Sequence, residues 1–227
     1  MLLRLKIVII NKSSESWFRQ NNHRTLKIIK INGSDDYNCH MKIQIMGASC
    51  AGSTTLGRAL AQRLNIPFFD TDEYFWVLTD PPFTTKCEPE LRNAMIKADM
   101  AKHECWIQAG SVIKWGADWE EMFDVVIFLY IPHELRMQRL TAREVERYGD
   151  IIYTDPARNA QHKEFVAWAE KYEDRTFSGR NIKAHEDWLS RVDAKVLEIR
   201  GDTTVEERVE RAVSFLKDEF GFPSNKS

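Results

Sequence analysis

The chain has 227 residues, a formal net charge of −2, and 29% charged against 43% hydrophobic residues. These values exclude a collagen-like, low-complexity or broadly disordered chain, and the lack of a basic excess argues against a general nucleic-acid binder. No apolar run approaches the ~18 residues that span a membrane, and four cysteines without CxxC spacing (Cys39, Cys50, Cys87, Cys105) fit reduced thiols in a cytoplasmic protein better than a zinc or disulfide framework.

Residues 1–40 carry seven Lys/Arg against three acids and open on an apolar run broken by Arg4 and Lys6. That order does not fit a secretory signal; we read the segment as an N-terminal extension or a mis-assigned start. Met41 opens a domain expected to run to about 222, with a short tail over 223–227. MKIQIM (41–46) reads as a strand, and Leu56, Leu60 and Leu64 repeat at helical spacing after it. IPFFD (66–70) is a second strand, and the proline-marked stretch 71–90 reads as loop. A helix follows from about Glu90 to His103. CWIQAG (105–110) is a third strand, and DVVIFLYI (124–131), apolar almost throughout, is a fourth with both faces buried. PHELRMQRLTAREVERYG continues as helix, and Asp155-Pro156 start another. In that second helix Phe165, Trp168, Ala169 and Tyr172 form a packing face, and His162 and His185 read as packed or surface side chains. AKVLEI (194–199) is a fifth strand, with a helix from about Thr204 to Phe220. Strands alternating with helices predict an α/β fold around a parallel five-stranded sheet in three layers.

Only ten residues are glycine, and three of them, Gly47, Gly52 and Gly57, fall within 47–57. GASCAGSTT (47–55) keeps the spacing of G-x-x-x-x-G-K-[ST], with Ser53 in the lysine position. Such a turn aims backbone N–H groups and a helix N-terminus at phosphate, and Thr54 would offer a hydroxyl to Mg²⁺. The nucleotide-binding set is therefore Gly47, Ala48, Ser49, Cys50, Ala51, Gly52, Ser53, Thr54 and Thr55. Two other uses of the turn stay open. Asp70 lies 23 residues after Gly47, near the offset of a ribose-binding acid, although Ser49 breaks the dinucleotide fingerprint; and a glycine turn need bind nothing.

GASCAGSTTLGRALAQRLNIPFFDTDEYFW resembles the adenylate-kinase/shikimate-kinase-like branch of P-loop NTPases. It is most similar to a group of kinase-like proteins with a G-A-S-G-x-G-T-T-T-L-G loop, which also lack the lysine; Cys50 replaces a glycine of that pattern. The resemblance covers roughly residues 41–220. It implies a nucleoside-monophosphate-kinase-like fold with a helical lid over about 136–182, ATP and Mg²⁺ as cofactors, and a monomer or homodimer that binds a nucleotide and a small-molecule acceptor, with neither nucleic acid nor membrane as partner.

Asp70 and Asp72 fall at the carboxyl end of the second strand, where ligands of a parallel sheet bind. The resemblance gives Asp70, with Thr54, to the metal and Asp72 to the acceptor; the alternative is that Asp72 caps a helix. TDPPFTTK (79–86) looks like the acceptor-side loop, with Phe83 and Trp76 available to stack on an acceptor. Arg92 is a candidate for an anionic acceptor, and Gly110 and Ser111 match a Gly-Ser of the family. Arg136, Arg139, Arg143 and Arg147 share one helix stripe suited to triphosphate. Arg139 and Arg143 match the R-L-x-x-R-E start of a lid and are the expected catalytic cations beside Asp70 and Asp72. Arg175 and Arg180 flank Gly179 within reach of ligand. The fourth strand ends without an acid, so no ordinary Walker B aspartate is present. The chain reads as an ATP-dependent small-molecule kinase; the alternatives are a nucleotide-binding regulatory module without turnover and, less favoured, an NAD(P)-binding protein.

Overall fold

The computed structural model describes residues 40–80 and 82–221. The extension expected over 1–40 (all but His40) and the tail 223–227 lie outside the described residues. Five strands form one parallel sheet: β1 Lys42–Gly47, β2 Phe68–Asp70, β3 Trp106–Ala109, β4 Val125–Tyr130 and β5 Lys195–Arg200, in the order β2-β3-β1-β4-β5. The helices are α1 Ser53–Leu64, α2 Thr71–Phe75, α3 Pro89–Met100, α4 His133–Tyr148, α5 Ile151–Thr154, α6 Pro156–Glu170, α7 Ile182–Leu189 and α8 Val205–Phe220.

Strand alternation divides the core into two layers. Ile43, Ile45, Val125, Ile127 and Leu129 face one side and pack with Leu56 and Leu60 of α1 and Val209, Ala212, Val213 and Leu216 of α8. Met46, Val126 and Phe128 face the other, against Ile96 and Met100 of α3, Trp119, and Trp188 of α7. Gly57 lets α1 approach the sheet, since a Cβ there would fall 2.4 Å from the Phe68 ring and 3.2 Å from Ala109. Two glutamines interrupt the apolar strands: Gln44 and Gln108 are paired in register on β1 and β3 and fully buried. Their side chains donate to the carbonyls of Gly110 (2.5 Å) and Ala109 (2.9 Å), which satisfies part of their polar capacity.

Two expectations, the loop over 71–90 and the reduced cysteines, need correction. The stretch 71–90 is not loop throughout. Asp70 accepts a hydrogen bond from the Asp72 N–H (3.1 Å) and caps α2, so the cap is Asp70 and not Asp72. The rest of the stretch closes on itself through the Val77 N–H to Thr85 carbonyl bond (2.8 Å) and the Cys87 N–H to Phe75 carbonyl bond (2.8 Å). The arginine helix ends at Gly149 as expected, where a φ of 62° breaks it before α5. Cys50 and Cys87 are free thiols, but Cys105, which accepts from the Met41 N–H at 3.2 Å where the chain enters β1, is disulfide-bonded. Among the described residues no helix is long and apolar enough to cross a membrane.

Candidate nucleotide and acceptor site

The loop between β1 and α1 leaves the sheet at its carboxyl edge. Gly47 is still paired with Leu129 of β4, and a Cβ there would sit 2.5 Å from the Leu129 carbonyl oxygen. The chain then turns through Cys50 at φ 66° and Gly52 at φ 99°, with the Ala51 N–H donating to the Ala48 carbonyl (3.0 Å). Gly52 is the N-cap of α1. No side chain caps that helix, and no acid lies in its first turn. The contrast with α8 is instructive: Thr204 and Glu207 form a complete capping box there, with Glu206 and Glu207 in the first turn. The first N–H groups of α1 are thus free of the protein's own anions, and the helix dipole favours an external one.

β2 delivers the acids beside this turn. Asp70 is 7% exposed, and it accepts hydrogen bonds from the Asp72 N–H and the Thr54 hydroxyl. Burial raises its pKa, the Asp72 charge adds to this, and the two hydrogen bonds pull back. Arg58 stands 3.9 Å from Asp70 and 3.8 Å from Glu73 and bridges the two; neither Arg58 nor Glu73 was singled out from the sequence. No cluster of three or more His, Cys, Asp or Glu suited to a metal occurs among the described residues. A Thr hydroxyl and a carboxylate in contact nevertheless fit Mg²⁺, which takes few protein oxygens and completes its shell with phosphate and water.

The side expected to take the acceptor holds Asp72, exposed at the start of α2, and Arg180, on which the Asp72 charge acts. Arg180 lies 5.0 Å from the Trp168 ring centroid, and its Nε is buried without a partner. Arg92 is 8% exposed, stacked 4.1 Å from the Trp115 centroid and 5.1 Å from that of Phe75, with its Nε also unpartnered. Gly110 ends β3 at φ 107°, pressed so close to Thr71 that no side chain fits. The Ser111 hydroxyl accepts from the Ile113 N–H at 3.5 Å. Trp76 and Phe83 make an edge-to-face pair with centroids 6.0 Å apart.

The arginine stripe of α4 separates. Arg136 is buried, bonded to Glu173 (2.9 Å) and packed on Tyr172. Arg147 covers the Phe83 ring at 4.8 Å. Arg143 donates to Glu144 (3.1 Å), and its charge reaches the Cys50 thiol in the loop. Arg139 donates to Asp202 (2.7 Å) on the turn after β5. The four therefore face different partners, although Arg139 and Arg143 both stay half-exposed. The expected packing face of α6 leads to Ala169 and Tyr172, both buried, and Tyr172 meets the buried His185. Arg208 was missed as well: on α8 and 4% exposed, it donates to the Ala51 carbonyl inside the loop (2.8 Å). A basic residue set in the apolar stripe of α8 was the available signal.

A parallel sheet of this order, with a glycine turn entering a helix at its carboxyl edge, is the arrangement of a P-loop fold. Residues 43–164, more than half the chain, match the family described as AAA domain, and the chain belongs to that family. It is 38% identical over 174 residues to the uncharacterized protein YqaC of Bacillus subtilis, covering 77% of this chain and 96% of that protein. It is 30% identical over 107 residues to a shikimate kinase of Thermosynechococcus vestitus, covering 43% of this chain and 58% of that one. Among solved structures, the shikimate kinase from Bacteroides thetaiotaomicron gives a TM-score of 0.48 at 20% identity, over 78% of this chain and 98% of that chain.

Proposed function

We propose that the protein is an ATP-dependent phosphotransferase acting on a small-molecule or nucleotide acceptor. The observation that carries this reading is the uncapped, acid-free N-terminus of α1 behind the Gly47–Gly52 turn, with the Thr54 hydroxyl on Asp70. The N–H groups of the 48–54 turn, apart from that of Ala51, which is held by the Ala48 carbonyl, take the triphosphate, and Thr54 and Asp70 hold Mg²⁺. The ion supplies charge neutralisation on the phosphate oxygens. Arg139 and Arg143, half-exposed on α4, counter the charge that develops on the transferred group. Asp72 orients the acceptor hydroxyl and takes its proton as the γ-phosphoryl passes to that oxygen and ADP leaves. Arg92, Arg180, Gly110 and Ser111 line the acceptor side, where two half-satisfied guanidiniums suit an acceptor that bears a carboxylate or phosphate.

A second reading has its own observation. Ser53 in the lysine position and a fourth strand without a terminal acid fit a nucleotide-binding regulatory module. Calorimetry with ATP·Mg, ADP and NADH identifies the ligand, and an ADP-release screen over nucleoside monophosphates, shikimate and gluconate identifies the acceptor. The expected result is ATP·Mg binding, ADP release with one acceptor, and loss of turnover in Asp72→Asn with ATP affinity kept. NADH binding without ATP binding overturns the phosphotransferase; ATP binding without turnover on any acceptor favours the regulatory module.

A further inference from the structure

The phosphate loop carries no basic side chain of its own, since residues 47–55 contain neither Lys nor Arg. A cation is nevertheless built against it. α8 turns Val209, Ala212, Val213 and Leu216 onto the sheet, and Arg208 is buried beside them at 4% exposure. Burying a guanidinium without a full set of partners is costly, so the position calls for a reason. Arg208 Nη1 donates to the Ala51 carbonyl (2.8 Å), and its Nε donates to the Thr203 hydroxyl (2.8 Å). Its Nη2 is buried with no partner. A Cβ at position 52 would fall 2.8 Å from Nη1. The glycine there therefore does two things: it permits the left-handed turn and leaves room for the guanidinium against the loop peptide.

The surrounding charges do not cancel. The charged groups acting on Arg208 are Arg139 and Asp202, and Asp202 is already bound by Arg139 at 2.7 Å. One carboxylate, bonded to Arg139 alone, is thus set against two guanidiniums beside a loop whose helix N-terminus is itself positive. That excess is what an anion held in the loop would complement.

We infer that Arg208 is the fixed cation of this lysine-less loop. It is a positioning residue that holds the 51–52 peptide in its turned conformation, and it supplies from α8 the charge that Ser53 does not. The inference rests on the nucleotide-binding reading. Its role is not that of a catalytic group, because it acts through the loop backbone.

The test separates charge, hydrogen bond and packing. Arg208→Lys keeps the charge; Arg208→Gln keeps a donor toward Ala51 but not the charge. The expected result is that Arg208→Gln weakens ATP·Mg binding by about tenfold or more, whereas Arg208→Lys recovers most of the affinity. Amide exchange at residues 48–54 of the nucleotide-free chain speeds up in Arg208→Gln. Thr203→Val, which removes only the Nε partner, gives a smaller change in the same direction and serves if the Arg208 variants do not fold. Equal affinity and unchanged loop exchange in folded Arg208→Gln or Thr203→Val overturn the inference, as do equal losses in Arg208→Lys and Arg208→Gln, which would mark a packing role. If the unaltered chain binds no ATP, the function proposed above fails, while the exchange measurement still decides whether Arg208 holds the loop.

Discussion

Acid should destabilise this fold through one imidazole. His185 of α7 is fully buried, with its Nδ1 2.6 Å from the Tyr172 hydroxyl and its ring edge-on to Phe128 at 5.7 Å. Its Nε2 has no partner. Burial pushes its pKa down to about 3, and the nearby Arg180 charge acts in the same direction. In the unfolded chain a histidine titrates near 6.5. Between these values the unfolded state binds a proton that the folded state refuses, so stability is complete above about pH 6.5 and is lost as the pH falls. At pH 5 the loss from this residue alone is about 2 kcal/mol, and at pH 7 it is close to zero. The measurement is urea denaturation followed by tryptophan fluorescence at pH 8 and pH 5, for the unaltered chain and for His185→Gln, which cannot titrate. Trp119 and Trp188 lie in the same core layer and report its loss. Other groups contribute to the pH dependence of both proteins, so the quantity of interest is the difference between them. That difference should shrink by about 2 kcal/mol from pH 8 to pH 5. A constant difference would refute the reasoning, because it would mean that His185 accepts a proton in the fold as readily as outside it.

What the sequence made legible followed from local pattern. The apolar run of β4 is buried from Val125 to Leu129, the leucine repeat of α1 falls on the sheet, and Asp155 caps α6 with Pro156 in its first turn. The glycine window gave the loop because its spacing is itself the geometry. What escaped depends on partners distant in the chain. Arg136 reads as one of four equivalent arginines until Glu173, 37 residues on, takes its charge out of solvent. The helix α2 looked like loop because five residues have little helical preference of their own. Its support comes from the Asp70 cap and from Tyr74, whose hydroxyl donates to Asp99 of α3 at 2.9 Å. Arg208 was passed over for the same reason: a guanidinium on a helix is ordinarily solvated, its place in the apolar stripe is only a weak signal, and the 157-residue contact with Ala51 gives it a role. Gln44 and Gln108 were read only as part of β-type runs, which they are; their buried amides also donate to the Gly110 carbonyl at the end of β3.

Two further substitutions test the loop itself. Gly47→Ala should destabilise the fold by about 1–3 kcal/mol in urea denaturation, since the new methyl meets the Leu129 carbonyl of the neighbouring strand, a backbone atom that cannot swing aside; an unchanged midpoint would show that β1 and β4 part at no cost. Ser53→Lys should leave ATP·Mg affinity intact or tighter in calorimetry, because Ser53 is the first residue of a helix whose N-terminus has no capping side chain to displace. If Arg208 already supplies the loop's positive charge, the gain from the new lysine is small in the unaltered chain and larger in an Arg208→Gln background. Independent sites would instead give equal gains in both. A collapse of binding in Ser53→Lys would place the phosphates elsewhere and refute the assignment of this turn as their cradle.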